Sequence, residues 1–301
     1  MFDYREFQQV FPAGAQLPYD RELQAEIENS RNLFGGVLFI DRVMNALGLS
    51  KGKFYPPKSD SALRNLHKQI CDATMSLHHK YSLLYYLLLD FDESDARTLA
   101  SDAFSTASGM PKNYQILMKG LWYLDQQMFP KALEHIAHPS LIPDFSDEII
   151  TAFVTQKHDD LALAYYYSVQ PILKTSSALE LLFGAMARTN ATEALFFTRT
   201  QPDHTREVLF RHLVSVALDH KQSDSAGASE LAFLPFESEE EAWFEDYLLH
   251  GDGKNLKRAK DTLLIRKIAG DRFNEVSRLR SGGQWGPVLE GIKAGTEGQD
   301  E

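Results

Sequence analysis

The sequence has a single cysteine, Cys71. No intramolecular disulfide can form and no thiolate cage can hold a metal, which fits a reducing compartment. Long hydrophobic runs are missing too. The most apolar stretch, "YSLLYYLLLDF" from Tyr81 to Phe91, is interrupted by Asp90. It offers about nine apolar or aromatic residues against the roughly 20 needed to cross a bilayer, so no membrane insertion is expected. The start, "MFDYREFQQVF", has no basic segment leading into an apolar run, so no secretory signal is expected and the chain is placed inside the cell. Strict two-residue alternation is scarce, and the one Asp-Gly pair, at Asp252, follows a helical pattern rather than closing a hairpin. Bases are the minority charge, 31 against 42 acids, for a formal net charge of -11. That balance argues against a surface built throughout for nucleic acid or anionic lipid, while leaving room for a local basic patch.

What remains is helix. "SALRNLHKQICDATM" sets Leu63, Leu66, Ile70 and Ala73 at helical spacing behind Ser59 or Ser61 as caps, and "NYQILMKGLWYLDQQ", "SDEIITAFVTQ", "SALELLFGAMART" and "REVLFRHLVSVALDH" follow the same period. Proline and glycine punctuate them at "YPPKSD", "SGMPKN", "HPSLIPDFSD" and "HGDGKN". A repeat then emerges. Three shorter helices open on Ala-Leu after a polar break, at Ala132, Ala162 and Ala194, spacings of 30 and 32 residues. Paired antiparallel helices at this period predict an all-α chain, an irregular α-solenoid of stacked hairpins in which the small alanine lets each second helix approach the first.

Candidate chemistry is sparse. His135 and His138 lie one helical turn apart with Glu134 beside them, but the H-E-x-x-H order of a helical zinc site needs histidines four apart, so capping and packing at a helix end is the reading adopted. Trp122, Leu124 and Leu133 are expected in the core of that hairpin and Asp125 at its surface. "DFDESD" lacks the glycine and closing glutamate of a calcium loop, which leaves Asp92 or Ser94 as a helix cap. No phosphate-cradling glycine loop or nucleophile elbow occurs, and Cys71 is expected to be a buried, inert thiol. Neither an enzyme nor a cofactor is expected.

The clearest charge feature is a swing from acid to base. From Asp224 to Asp246 there are acids and no Lys or Arg; from Gly251 to Arg280 bases prevail. The basic segment reads either as a solvated helical face or as a patch for phosphate, an acidic protein, or the acidic stretch just upstream. Lys257, Arg258, Arg266, Lys267 and Arg272, with the aromatics Phe236, Trp243 and Phe244, are therefore candidate partner-binding residues. Trp285, set between glycines and a proline, either packs on the last hairpin or anchors a partner.

Three segments carry a resemblance: "LGLSKGKFYPPKSDSALRNLHK", "YSLLYYLLLDFD" and "LWYLDQQMFPKALEHIAHPSLIPDF". Their Tyr-Pro-Pro, Leu-Leu-Leu-Asp, Trp-x-Leu-Asp, Ala-Leu and His-Pro-Ser pieces, in this order, resemble the α-helical domain of ELYS-type nucleoporins, over at least residues 35 to 200. The resemblance implies a scaffold protein of the nuclear pore, in the nucleus at the nuclear envelope. It joins the Y-shaped subcomplex at its short arm, with the large propeller-solenoid nucleoporin and neighbouring Y-complex subunits as partners, and is a monomer before assembly. Animal members add a β-propeller and a chromatin-engaging tail; this chain resembles the short fungal type, and the family has no catalytic residues to carry over. The expected layout is an ELYS-like helical domain at 1–220, a loop at 221–238, C-terminal helices continuing or capping the solenoid at 239–292, and a disordered tail at 293–301. The alternative reading, from another class, is a chromatin- or nucleic-acid-binding helical protein using the basic segment 254–280.

Overall fold

The computed structural model describes residues 2–11, 17–49, 54–94, 99–219, 226–270 and 272. Among them are 16 α-helices and no strand, so the fold is all-α and repeat-like. The chain divides into two compact units, Met1–Leu179 and Glu180–Glu301. The boundary drawn at residue 220 from composition falls inside the second.

The first unit holds α1 (Phe7–Val10), α2 (Arg21–Leu33), α3 (Phe39–Ala46), α4 (Asp60–Asp72), α5 (Leu77–Ser94), α6 (Ala100–Ser108), α7 (Lys112–Asp125), α8 (Phe129–Ile136), α9 (Ser146–Thr155) and α10 (Asp159–Val169). Short polar side chains start several of these helices. Asp20 accepts from the Leu23 N–H at 2.8 Å, and Ser59 from the Ala62 N–H at 3.2 Å. Asp92 takes the capping role expected of it at a distance, accepting from the Ala100 N–H at 2.6 Å to open α6. Gly109 closes that helix in the left-handed region, φ 64°, where a side chain would be strained. Helix α5 is buried without a break from Lys80 to Phe91 and packs on α4, α6 and α7. Its apolar character on every side marks a central core helix, and no described helix is long and apolar enough to cross a membrane.

The repeat has a visible cause. Ala132, Ala162 and Ala194 are all fully buried. A second small residue escapes the sequence reading: a Cβ added at Gly120 would stand 2.6 Å from Ile136 Cγ2, so α7 and α8 meet at a contact only glycine allows. The hairpin turns repeat as well. Gln127 (φ 58°) and Lys157 (φ 64°) both adopt the left-handed conformation. The next N–H bonds back across the helix end, Met128 to the Tyr123 carbonyl and His158 to the Phe153 carbonyl, both at 2.9 Å. This is the same helix-ending turn used twice.

Helix α11 (Ser176–Thr189) contains the point of division. The second unit holds α12 (Ala191–Arg199), α13 (Asp203–Leu218), α14 (Ala226–Phe233), α15 (Ser238–Leu249), a 3-10 turn at Asp252–Asn255 and α16 (Ala259–Ala269). Here α13 packs on α12, α14 and α15, and α16 on α14 and α15. The segment expected as a loop at 221–238 contains α14, whose alanines and leucine outweigh its serine and glycine. The tail at 293–301 lies outside the described residues.

Candidate functional site

Two polar clusters stand out, one in each unit. The first is centred on two carboxylates that the packing closes off from water. Asp90, 2% exposed at the end of α5's buried run, accepts from the Tyr19 hydroxyl at 2.7 Å, the Tyr55 hydroxyl at 3.0 Å and the Trp122 indole N–H at 2.8 Å. Asp125, 4% exposed at the end of α7, accepts from the backbone N–H groups of Phe39 at 2.7 Å and Ile40 at 3.0 Å, and from the Tyr86 hydroxyl at 2.7 Å. The surface position expected for Asp125 is therefore corrected. It is the cap of α3, supplied from 85 residues further along the chain. The Tyr55 and Tyr86 rings, 5.6 Å apart and edge-to-face, join the two halves.

Among the described residues neither carboxylate is paired with a cation, and the donors to both are neutral. Burial raises Asp90 to about 6 against the pull of its Trp122 and tyrosine hydrogen bonds. It raises Asp125 to about 7 against the Phe39, Ile40 and Tyr86 donors. Burial also pushes the Tyr19, Tyr55 and Tyr86 hydroxyls well above their usual range, so they remain neutral donors. Nearby, Arg31 extends the ties by pairing with Asp41 at 3.0 Å and donating to the Tyr55 carbonyl at 2.8 Å. The cluster fixes α2, α3 and the 54–59 segment onto α5 and α7. Its chemistry is that of a satisfied buried network, which rigidifies and specifies a core.

The histidines of the same stretch are engaged locally. His135 Nδ1 pairs with the Lys131 carbonyl at 2.9 Å while its ring rests 5.2 Å from Tyr123, and His138 Nδ1 pairs with the Ser140 hydroxyl at 2.8 Å. Trp122 and Leu124 are buried as expected, and Leu133 is half-buried. Among the described residues no group of three His, Cys, Asp or Glu is placed to hold a metal ion. Cys71 is half-buried rather than enclosed, and burial raises its thiol, which disfavours the reactive thiolate.

The second cluster gathers the charge swing of the sequence into one set of ion pairs. Arg266, 7% exposed, pairs with Glu241 at 2.6 Å, donates to the Ala232 and Leu234 carbonyls at 3.0 and 2.8 Å, and lies 3.7 Å above the Phe236 ring. Lys267, 4% exposed, meets Glu245 at 3.0 Å, and Arg272 bridges both acids at 3.2 and 2.9 Å. Next to Glu241 on α15 the fully buried Glu240 takes Arg199 at 2.8 Å and Arg206 at 2.9 Å. Burial works against its charge, but these two arginines hold it down at about 2. Arg206 also stacks on Trp243 at 5.5 Å.

Phe244, Arg266 and Lys267 were expected to face a partner. They are inside, because Glu241 and Glu245 project from α15 one turn apart towards α16. Phe236 and Trp243 are half-buried in the same cluster, Arg258 is half-buried, Lys257 is exposed, and Trp285 lies outside the described residues. Of the openings left by the sequence, the acidic stretch just upstream is what the buried bases meet.

The model of the ELYS family, described as nuclear pore complex assembly, matches residues 37–251. The chain belongs to the ELYS family. It is also 26% identical over 228 residues to uncharacterized protein ely5 of Schizosaccharomyces pombe, covering 74% of this chain and 72% of that protein. The ELYS match takes in the Tyr-Pro-Pro, Leu-Leu-Leu-Asp and Trp-x-Leu-Asp pieces, whose Tyr55, Asp90, Trp122 and Asp125 all belong to the buried network. It ends before Arg266, so the Arg266–Glu241 ion pair joins the ELYS region to residues beyond it.

Proposed function

We propose that this ELYS-family chain is a structural nucleoporin that acts without catalysis in the nuclear pore scaffold at the nuclear envelope. It joins the Y-shaped subcomplex at its short arm, with the large propeller-solenoid nucleoporin there as its main partner and neighbouring Y-complex subunits beside it. The observation that carries this reading is the family match over 37–251, a family of nuclear pore complex assembly. The physical picture agrees with it. Both polar clusters tie a unit to itself, which suits a part whose work is to present a fixed shape: a preorganised surface loses less entropy on docking.

The reading through nucleic acid is weakened by a specific finding. Arg266, Lys267 and Arg272 are each paired with Glu241 or Glu245. Bases neutralised within the chain are not available to displace the counterions condensed on a nucleic acid. Co-elution of the purified chain with the large short-arm nucleoporin, at moderate and at high salt, tests the proposal. A joint peak under both conditions is expected. Its absence, together with salt-sensitive binding to duplex DNA, would replace the scaffold reading by the nucleic-acid one.

A further inference from the structure

One edge of the first unit takes no part in either cluster. The segment between α8 and α9 and the segment between α10 and α11 each hold an isoleucine almost wholly in water. Ile142 and Ile172 are both 88% exposed, more than the other exposed large hydrophobics among the described residues. Each follows or precedes a proline, in Ile142-Pro143 and Pro171-Ile172. The second segment is latched to the first turn of α9, where the first segment ends, because Asp147 accepts from the backbone N–H groups of Lys174 at 3.0 Å and Thr175 at 2.8 Å. Burial opposes that carboxylate's charge, but the Thr175 and Lys174 hydrogen bonds keep it below the usual range.

The ridge Leu141–Phe145 separates two grooves. One, of about 500 Å³, is walled by Val43, Leu47, Tyr114 and Leu117; the other, of about 580 Å³, runs between Phe145 and the 170–175 segment. An apolar knob on a ridge, with a groove on either side, is the complement of the furrow between two packed helices. The charge on the edge is acidic: Asp144, Asp147 and Glu148 line the second groove against one base among the described residues, Lys174, Arg42 reaching Glu148 at 3.8 Å. A phosphate backbone is disfavoured there and a cationic protein flank is favoured.

We infer that this edge, with Ile142 and Ile172 as its anchors, is the docking surface for an α-helical partner protein whose apolar furrow is bordered by lysine or arginine. The inference rests on the scaffold reading above and names the surface that reading leaves open. A latched 170–175 segment needs little ordering on binding, and the two exposed isoleucines can act as hot spots.

The test uses the full chain with Ile142→Asp, Ile172→Asp and the pair, against the purified large short-arm nucleoporin. Both side chains lie in solvent, so the melting temperature should stay that of the wild type. Affinity should fall roughly tenfold for each substitution and about a hundredfold for the pair. Asp144→Lys should weaken binding at low salt and less so at high salt. Wild-type affinity in the folded double variant would overturn the surface while leaving the scaffold reading intact. A wild-type chain that does not bind the nucleoporin would overturn that reading and this inference with it. A wild-type homodimer dissolved by the same substitutions would overturn the partner in favour of a second copy.

Discussion

Replacing Asp125 by asparagine keeps the shape of the side chain and removes one acceptor. In the wild type Oδ1 takes the Phe39 N–H, while Oδ2 takes the Ile40 N–H and the Tyr86 hydroxyl. An asparagine turns an NH2 group towards one of two backbone donors that cannot rotate away. One buried N–H is orphaned, at a cost of about 1–3 kcal/mol. The matching change at Asp90 differs in kind. Tyr19 and Tyr55 present hydroxyls to Oδ2, and a hydroxyl can turn to accept from the new amide while Trp122 keeps its acceptor. Asp90→Asn should therefore cost less than about 1 kcal/mol, within the range of one modest hydrogen bond. The assay is urea denaturation followed by Trp122 fluorescence with Trp243 and Trp285 changed to phenylalanine, so that the signal comes from the first unit. Exposed Glu134→Ala is the control and should be silent. Equal losses for the two asparagine variants, or a loss at Asp125 no larger than the control's, would refute the account of the network as one aspartate fixed by the backbone and one by rotatable groups.

Three further outcomes are expected. Asp90 and Asp125, raised from 3.8 to about 6 and about 7, bind protons in the folded state that the unfolded chain releases, so their contribution is full below pH 3.8, and the first unit should lose stability as pH rises from 5 to about 7 and change little above that. Above pH 5 the loss is roughly 1–3 kcal/mol per carboxylate at about 1.36 kcal/mol per pH unit, and the double asparagine variant should flatten the profile. Glu240 is held low, and its contribution is lost only as pH falls below its ordinary 4.5, outside that window. Arg266→Ala should destabilise the second unit by about 2–3 kcal/mol, because two buried carbonyls lose a donor while Glu241 keeps Arg272; Arg266→Lys should recover only part of this in the same denaturation experiment. Gly120→Ala should cost about 1–3 kcal/mol by overpacking and lower the melting temperature, since its Cβ would lie 2.6 Å from Ile136.

The helical character and the Ala-Leu hairpins were legible because they are local: a buried alanine declares itself by spacing alone. The left-handed turns at Gln127 and Lys157 left no such mark, since neither is glycine. Asp125 was misplaced for a related reason. An acid at a helix end is ordinarily wet, and nothing near it in the sequence shows that Phe39, Ile40 and Tyr86 will converge on it. The hint lay in its setting, at the close of an apolar stripe, as with the Leu-Leu-Leu-Asp of Asp90. The charge swing was visible, but which acid meets which base depends on α15 and α16 lying side by side. The isoleucine edge was hidden because exposure is a property of the fold; "LIPDF" reads like any other loop.

The network around Asp90 and Asp125 separates what makes the chain recognisable from what another molecule can feel. Tyr55, Asp90, Trp122 and Asp125, all within the ELYS match, face inward. A relative could keep all four, remodel only the ridge at Ile142 and the segment at Ile172, and exchange its neighbours in an assembly without ceasing to look like the same protein.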